Sequence, residues 1–185
     1  MEGARAYILA HGICGIFKDA DASSHSLWNA VDLPDKVTAA SSKWGVRLDY
    51  IWKWKTELQT AYPDELFYTK LKDGQAVLMS AKHLKNTHYP SHHKPLTECS
   101  NLARLIFEIV RVEPSVPTGE LRALSIERAR CTKGRFATAL TQLQVTLNIA
   151  RCPTSTVKSD HWITFSSLFP SISRSTDGGL LNADF

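Results

Sequence analysis

Residues 132–147 constrain this chain more than any other stretch. Phe136, Leu140, Leu143 and Leu147 recur at i, i+4, i+7 and i+11. That spacing sets four large apolar side chains on one stripe of an α-helix, which needs a core beneath it. Arg135, Thr138, Thr141, Gln142 and Val145 fall on the opposite side, and Thr132 stands where a hydroxyl can cap the first turn. The surrounding stretch, Arg128 to Ser159, holds six cations (Arg128, Arg130, Lys133, Arg135, Arg151, Lys158) and no carboxylate. β-formers at 147–152 and 161–165 flank a Pro/Thr/Ser-rich loop, which predicts a hairpin with a basic tip.

Two helices are expected before this one. Residues 101–112 carry apolar side chains at 102, 105, 106, 109 and 110, and Pro114 and Pro117 end that helix. Thr118 is placed to cap a second helix over Gly119 to Ser125. Helix, helix, helix, strand, loop, strand is the outline of a winged helix.

The first half repeats this grammar more loosely. The apolar run 5–17 is interrupted by His11 and two glycines, so it predicts a buried helix or strand and excludes a membrane span. Ser24 to Val31 predicts a short helix. Lys43 to Thr60 predicts a longer one with Trp44, Leu48, Ile51 and Trp52 on its inner side. Leu66 to Leu71 and Gln75 to Leu84 read as strands joined by Lys72-Asp73-Gly74, a hairpin turn signal. The expected fold is therefore α+β, with two tandem winged-helix-like units at 1–87 and 98–170. A Pro- and His-rich linker at 88–97 would join them, and a loose tail would follow over 171–185.

Three stretches, in this order, resemble short bacterial winged-helix proteins related to the AlkZ/YcaQ DNA glycosylases. They are Ser26-Leu-Trp-Asn-Ala-Val31; Trp52-Lys-Trp-Lys-Thr-Glu-Leu58 with Leu66-Phe-Tyr-Thr-Lys-Leu71 and Ala76-Val-Leu-Met-Ser80; and Arg135 to Leu147. The resemblance implies the fold given above and contact with DNA. The full-length glycosylases excise alkylated bases and carry a paired-polar motif, which Gln142-Leu143-Gln144 matches in type. Here that motif falls inside the basic helix, and the Phe-Trp-Pro run of the short relatives is replaced by Gly12-Ile-Cys-Gly-Ile-Phe17. The resemblance therefore carries no catalytic role onto 142–144 and leaves enzymatic activity open.

The net charge of +4, from 22 basic and 18 acidic residues, argues for little until its clustering is considered. Affinity for nucleic acid follows the number of phosphates neutralised. The expected partner is double-stranded DNA, met through Lys133, Arg135, Thr138, Thr141, Gln142, Arg151 and Lys158, with Lys53, Lys55 and Lys70 of the first half as further contacts. Trp52 and Trp54 interleave with lysines as in a base-stacking surface, although core packing is the simpler expectation for Trp52. No cofactor is expected. The histidines 83, 88, 92 and 93 lack metal-ligand spacing, and the four cysteines form no Cys-x-x-Cys pair. With no secretory leader pattern, the expectation is a reduced cytoplasmic protein that does not enter a membrane. Nucleophile and phosphate-loop motifs are missing, and Glu57 is the one carboxylate considered for catalysis. The function expected is DNA binding, with a minimal DNA glycosylase and a winged-helix protein-interaction module as the alternatives.

Overall fold

The chain divides into two units, Met1–Leu84 and Lys85–Phe185, in a computed structural model that describes residues 1–17, 25–30 and 43–177. The fold is α+β, as expected. In the first unit, α1 (Glu2–His11) leads to β1 (Ile13–Gly15), α2 (Leu27–Ala30), α3 (Lys43–Ala61) and the hairpin β2 (Leu66–Lys70) and β3 (Ala76–Ser80). The run 5–17 is thus a helix followed by a strand. Gly12 separates the two at φ +78°, a left-handed conformation that glycine adopts without strain. Its N–H closes α1 on the Ile8 carbonyl at 2.8 Å, and its carbonyl accepts from Ser80 N at 2.8 Å. A β-carbon on Gly12 would lie 3.1 Å from the His83 ring.

The Asp-Gly turn forms where expected. Gly74 has φ +87°, Asp73 Oδ1 accepts from Gln75 N at 2.9 Å, and Tyr68 pairs with Leu78 in an antiparallel register. The second strand is shorter than its apolar pattern suggested. Ser80 caps a helical turn by accepting from His83 N at 3.1 Å, and residues 81–84 leave the sheet.

The core of this unit gathers Ile8, Cys14, Ile16, Leu27, Ile51, Leu58, Leu66 and Leu78. The inner face of α3 therefore runs through Ile51 and Leu58. Leu48 and Trp52, expected on that face, are 39% and 42% exposed. One residue, or about 100° of helix, separates the two faces; the Trp44 side chain lies outside the described part. His11, which interrupts the apolar run, is exposed and stacks on His25 with centroids 3.7 Å apart. Burial pushes the Cys14 thiol up to about 12. At the start of α1, Arg5 reaches Glu2 at 2.7 Å and Glu65 at 2.6 Å. The Tyr62 hydroxyl donates to Glu2 at 2.8 Å. That hydroxyl first, and then the Arg5 guanidinium, hold the Glu2 carboxyl below its usual range. The associated stabilisation is present above the ordinary carboxylate pKa and is lost as pH falls through the lowered value.

In the second unit, α4 (Asn101–Val112), β4 (Val116–Pro117), α5 (Thr118–Ala129), α6 (Lys133–Val145), β5 (Ile149–Arg151) and β6 (His161–Thr164) follow one another, and then α7 (Phe165–Leu168) and α8 (Pro170–Asp177). The strand order is β1-β3-β2 in the first sheet and β4-β6-β5 in the second. Among the described residues, both units contain the run helix, strand, helix, helix, strand, strand, with the last strand central and with further short helices outside that run. The α6 stripe is buried as expected: Phe136, Leu140 and Leu143 join Ile106, Ile109, Leu121 and Trp162 in one core.

Several boundaries differ from expectation. The residues expected as a linker, 88–97, pack into the second unit. Tyr89 is buried and stacks on Phe165 with centroids 5.0 Å apart, and Lys94 N donates to Thr146 O at 3.3 Å. Tertiary stacking overrides the Pro/His composition there. The tail expected to be loose over 171–185 begins inside α8, where Ile172 is buried; residues 178–185 lie outside the described part. Thr118 does not cap α5 with its side chain. Instead it joins α5 to the sheet, donating to Asp160 O and accepting from Trp162 Nε1, both at 2.8 Å. Trp162→Phe removes the indole donor and will lower stability by about 1 kcal/mol, read as a lower urea midpoint at unchanged slope.

Candidate nucleic-acid interface

The start of α6 is built locally. Thr132 accepts from Arg135 N at 3.3 Å, which leaves the other early N–H groups pointing off the helix end. Lys133, Gly134, Arg135, Ala137 and Thr138 are exposed, and Thr141 is half-buried between them and the core. Arg130 ends α5 in the left-handed region at φ 48° and, with Arg128, stands exposed just before α6. Among the described residues, Arg128, Arg130, Lys133 and Arg135 enter no ion pair, whereas Arg5, Lys94, Arg111 and Arg151 do. The α5–α6 turn therefore concentrates positive charge at a helix N-terminus, an arrangement suited to phosphate. Arg128 and Arg130 were not among the expected contacts. The signal for them is the four cations within residues 128–135, with no carboxylate among them.

Two residues of the α6 face are committed inward. Gln142 Oε1 accepts from Ser100 N at 3.2 Å and Ser100 Oγ at 2.8 Å, which ties α6 to the start of α4. Only its Nε2 is left for an outside partner. Gln144 is buried and its Nε2 donates to Leu140 O at 3.2 Å. The Gln-x-Gln pair thus does not present two amides to one surface. Gln142→Ala will lower stability by about 1 kcal/mol, measured by thermal or urea unfolding, because both Ser100 donors lose their acceptor.

Arg151, expected as a DNA contact, is corrected. Its side chain is fully buried, and Nε donates to Asp160 Oδ1 at 2.6 Å across the β5–β6 hairpin. It fastens the base of the loop, while the Thr156–Ser159 turn, with Thr156 N on Ser159 O at 2.9 Å, shapes the tip. Val157 and Lys158 are exposed on that tip.

In the first unit, Lys53 is exposed and Lys70 half-buried. Lys55, expected as a phosphate contact, is 7% exposed, with Nζ 5.0 Å from the Trp52 ring centroid and 4.7 Å from that of Tyr68. It is sandwiched by the aromatics instead of being offered to solvent. Trp52 keeps its remaining surface open beside Phe17, while Trp54 packs on the core. Glu57 is exposed on α3. The described residues hold no cluster of three metal-ligating side chains, and no described helix is long and apolar enough to cross a membrane.

The two α+β units share one strand order, and the second carries a cationic helix start. The chain belongs to the AlkZ-related family, whose model matches residues 1–162. No curated protein and no solved structure was found to match it.

Proposed function

We propose that the chain is a DNA-binding protein that meets double-stranded DNA through the start of α6 and the β5–β6 loop tip. We read both units as winged helices. The helix, strand, helix, helix, strand, strand order, with the last strand between the other two, supports that reading. The observation that carries the proposal is the set of four exposed cations, Arg128, Arg130, Lys133 and Arg135, around a capped helix N-terminus, none of them in an ion pair among the described residues. Phosphates would lie against these side chains and the first N–H groups of α6, with Lys158 on the flanking backbone. Thr138 and Thr141 would face the groove. Membership of the AlkZ-related family supports a place in the repair of alkylated DNA.

Fluorescence anisotropy with a random-sequence duplex tests the proposal. Binding should weaken steeply with salt, because each phosphate contact releases condensed counterions. Affinity that is absent at low salt, or insensitive to salt, would leave a protein-interaction module as the better reading. Incubation with alkylated duplex distinguishes a binder from a glycosylase: a binder releases no free base. The inward commitment of Gln142 and Gln144 favours the binder.

A further inference from the structure

A cleft of about 240 Å³ opens in the second unit where the start of α4, the end of α5 and the first turn of α6 come together. Asn101, Leu102, Leu105, Ala129, Cys131 and Arg135 line it. Leu102 is half-buried against the core and Cys131 belongs to that core, so the floor is apolar and anchored. Arg135 is exposed and enters no ion pair among the described residues. Asn101 Oδ1 accepts from Arg104 Nη2, which leaves the Asn101 amide nitrogen as the atom with protons to give. The nearby Glu98 pairs with Lys94 at 3.4 Å, and no carboxylate lines the cleft.

An apolar floor beside one guanidinium and one amide donor, with no ion-pair partner for the cation among the described residues, suits a ligand that brings its own acceptor. A carboxylate can take two parallel N–H bonds from a guanidinium. The volume lies below the roughly 300–1,000 Å³ of sites for drug-sized ligands, so the tail must be short. We propose that this cleft binds a short-chain monocarboxylate, its tail on Leu102, Leu105, Ala129 and Cys131 and its carboxylate on Arg135 and Asn101. The proposal does not depend on the DNA-binding reading.

Hexanoate titrated into the full chain without DNA, followed through the methyl signals of Leu102 and Leu105, tests it. Saturable shifts at both leucines are expected. Hexanamide, with the same tail and no charge, should bind at least about tenfold more weakly, since a charge-assisted bidentate pair is lost. Arg135→Gln should weaken hexanoate to a similar degree. Ala129→Phe, which fills the cleft and leaves Arg135 in place, should abolish the shifts. No saturation at Leu102 and Leu105, or equal affinity for hexanoate and hexanamide in the unsubstituted chain, overturns the proposal. The amide comparison decides the question even if a variant folds poorly.

Discussion

The double variant Lys133→Ala/Arg135→Ala will bind random duplex about tenfold more weakly than the parent near physiological salt. The slope of log affinity against log salt will fall by about 2. Both side chains are exposed, and the Thr132 cap survives because it uses the backbone N–H of residue 135 and not its side chain. The variant should therefore fold with an unchanged thermal midpoint, so that lost affinity reports lost phosphate contacts. Anisotropy titrations at three or more salt concentrations give both quantities. A parallel loss with no change in slope would mean that the two residues act on the fold and do not touch phosphate. Lys53→Ala serves as the comparison: its loss should be smaller, because it lacks the helix N-terminus that adds to the field around 133–135.

Arg151→Ala will destabilise the second unit by about 3 kcal/mol, the low end of the cost of breaking a buried ion pair. The low end applies because Asp160 keeps 28% of its side chain exposed and can be partly rehydrated. In a unit of this size that corresponds to a fall of about 15 °C in thermal midpoint. Arg151→Met combined with Asp160→Leu should recover much of the loss, since removing both charges leaves neither one buried alone. If Arg151→Ala instead unfolds at the parent temperature and only loses DNA affinity, then Arg151 is a contact residue and the hairpin does not rely on it.

The features legible in the sequence were those written within a few residues. The α6 stripe, its Thr132 cap and the Asp73-Gly74 turn each depend on local spacing, and each forms where that spacing placed it. Strands β1 and β4 were not legible. They are three and two residues long, too short for any period, and exist because β3 and β6 arrive later to pair with them. The inner face of α3 was misread because Trp52-Lys53-Trp54-Lys55 puts the bulky residue on one face and the buried lysine on the next. Hydrophobicity alone ranks Trp52 above Lys55, but packing places Lys55 between two rings.

Charge type misled at Arg151 for a related reason. A cation in a hairpin suggests a surface contact, yet every β5 position is buried. The acid that compensates Arg151 lies nine residues on, at the far side of the loop. The useful signal was the Arg…Asp pair bracketing that loop. Gln142-Leu143-Gln144 was legible as lying on α6, but the direction of its amides was not, because Ser100 is distant in sequence. The cleft beside Arg135 also escaped notice, since it is made by three helices that no single window joins.

The placing of β3 between β1 and β2, and of β6 between β4 and β5, sets a timetable for biosynthesis. In each unit the strand translated last is the one both others need, so a nascent polypeptide halted before residue 76 carries two orphan edges and no sheet. Once residue 80 has left the ribosome, the amino-terminal sheet can zip shut while the ribosome is still assembling the carboxy-terminal one. The inner edges of the flanking strands, which could snare a neighbouring polypeptide, are then open in one unit at a time.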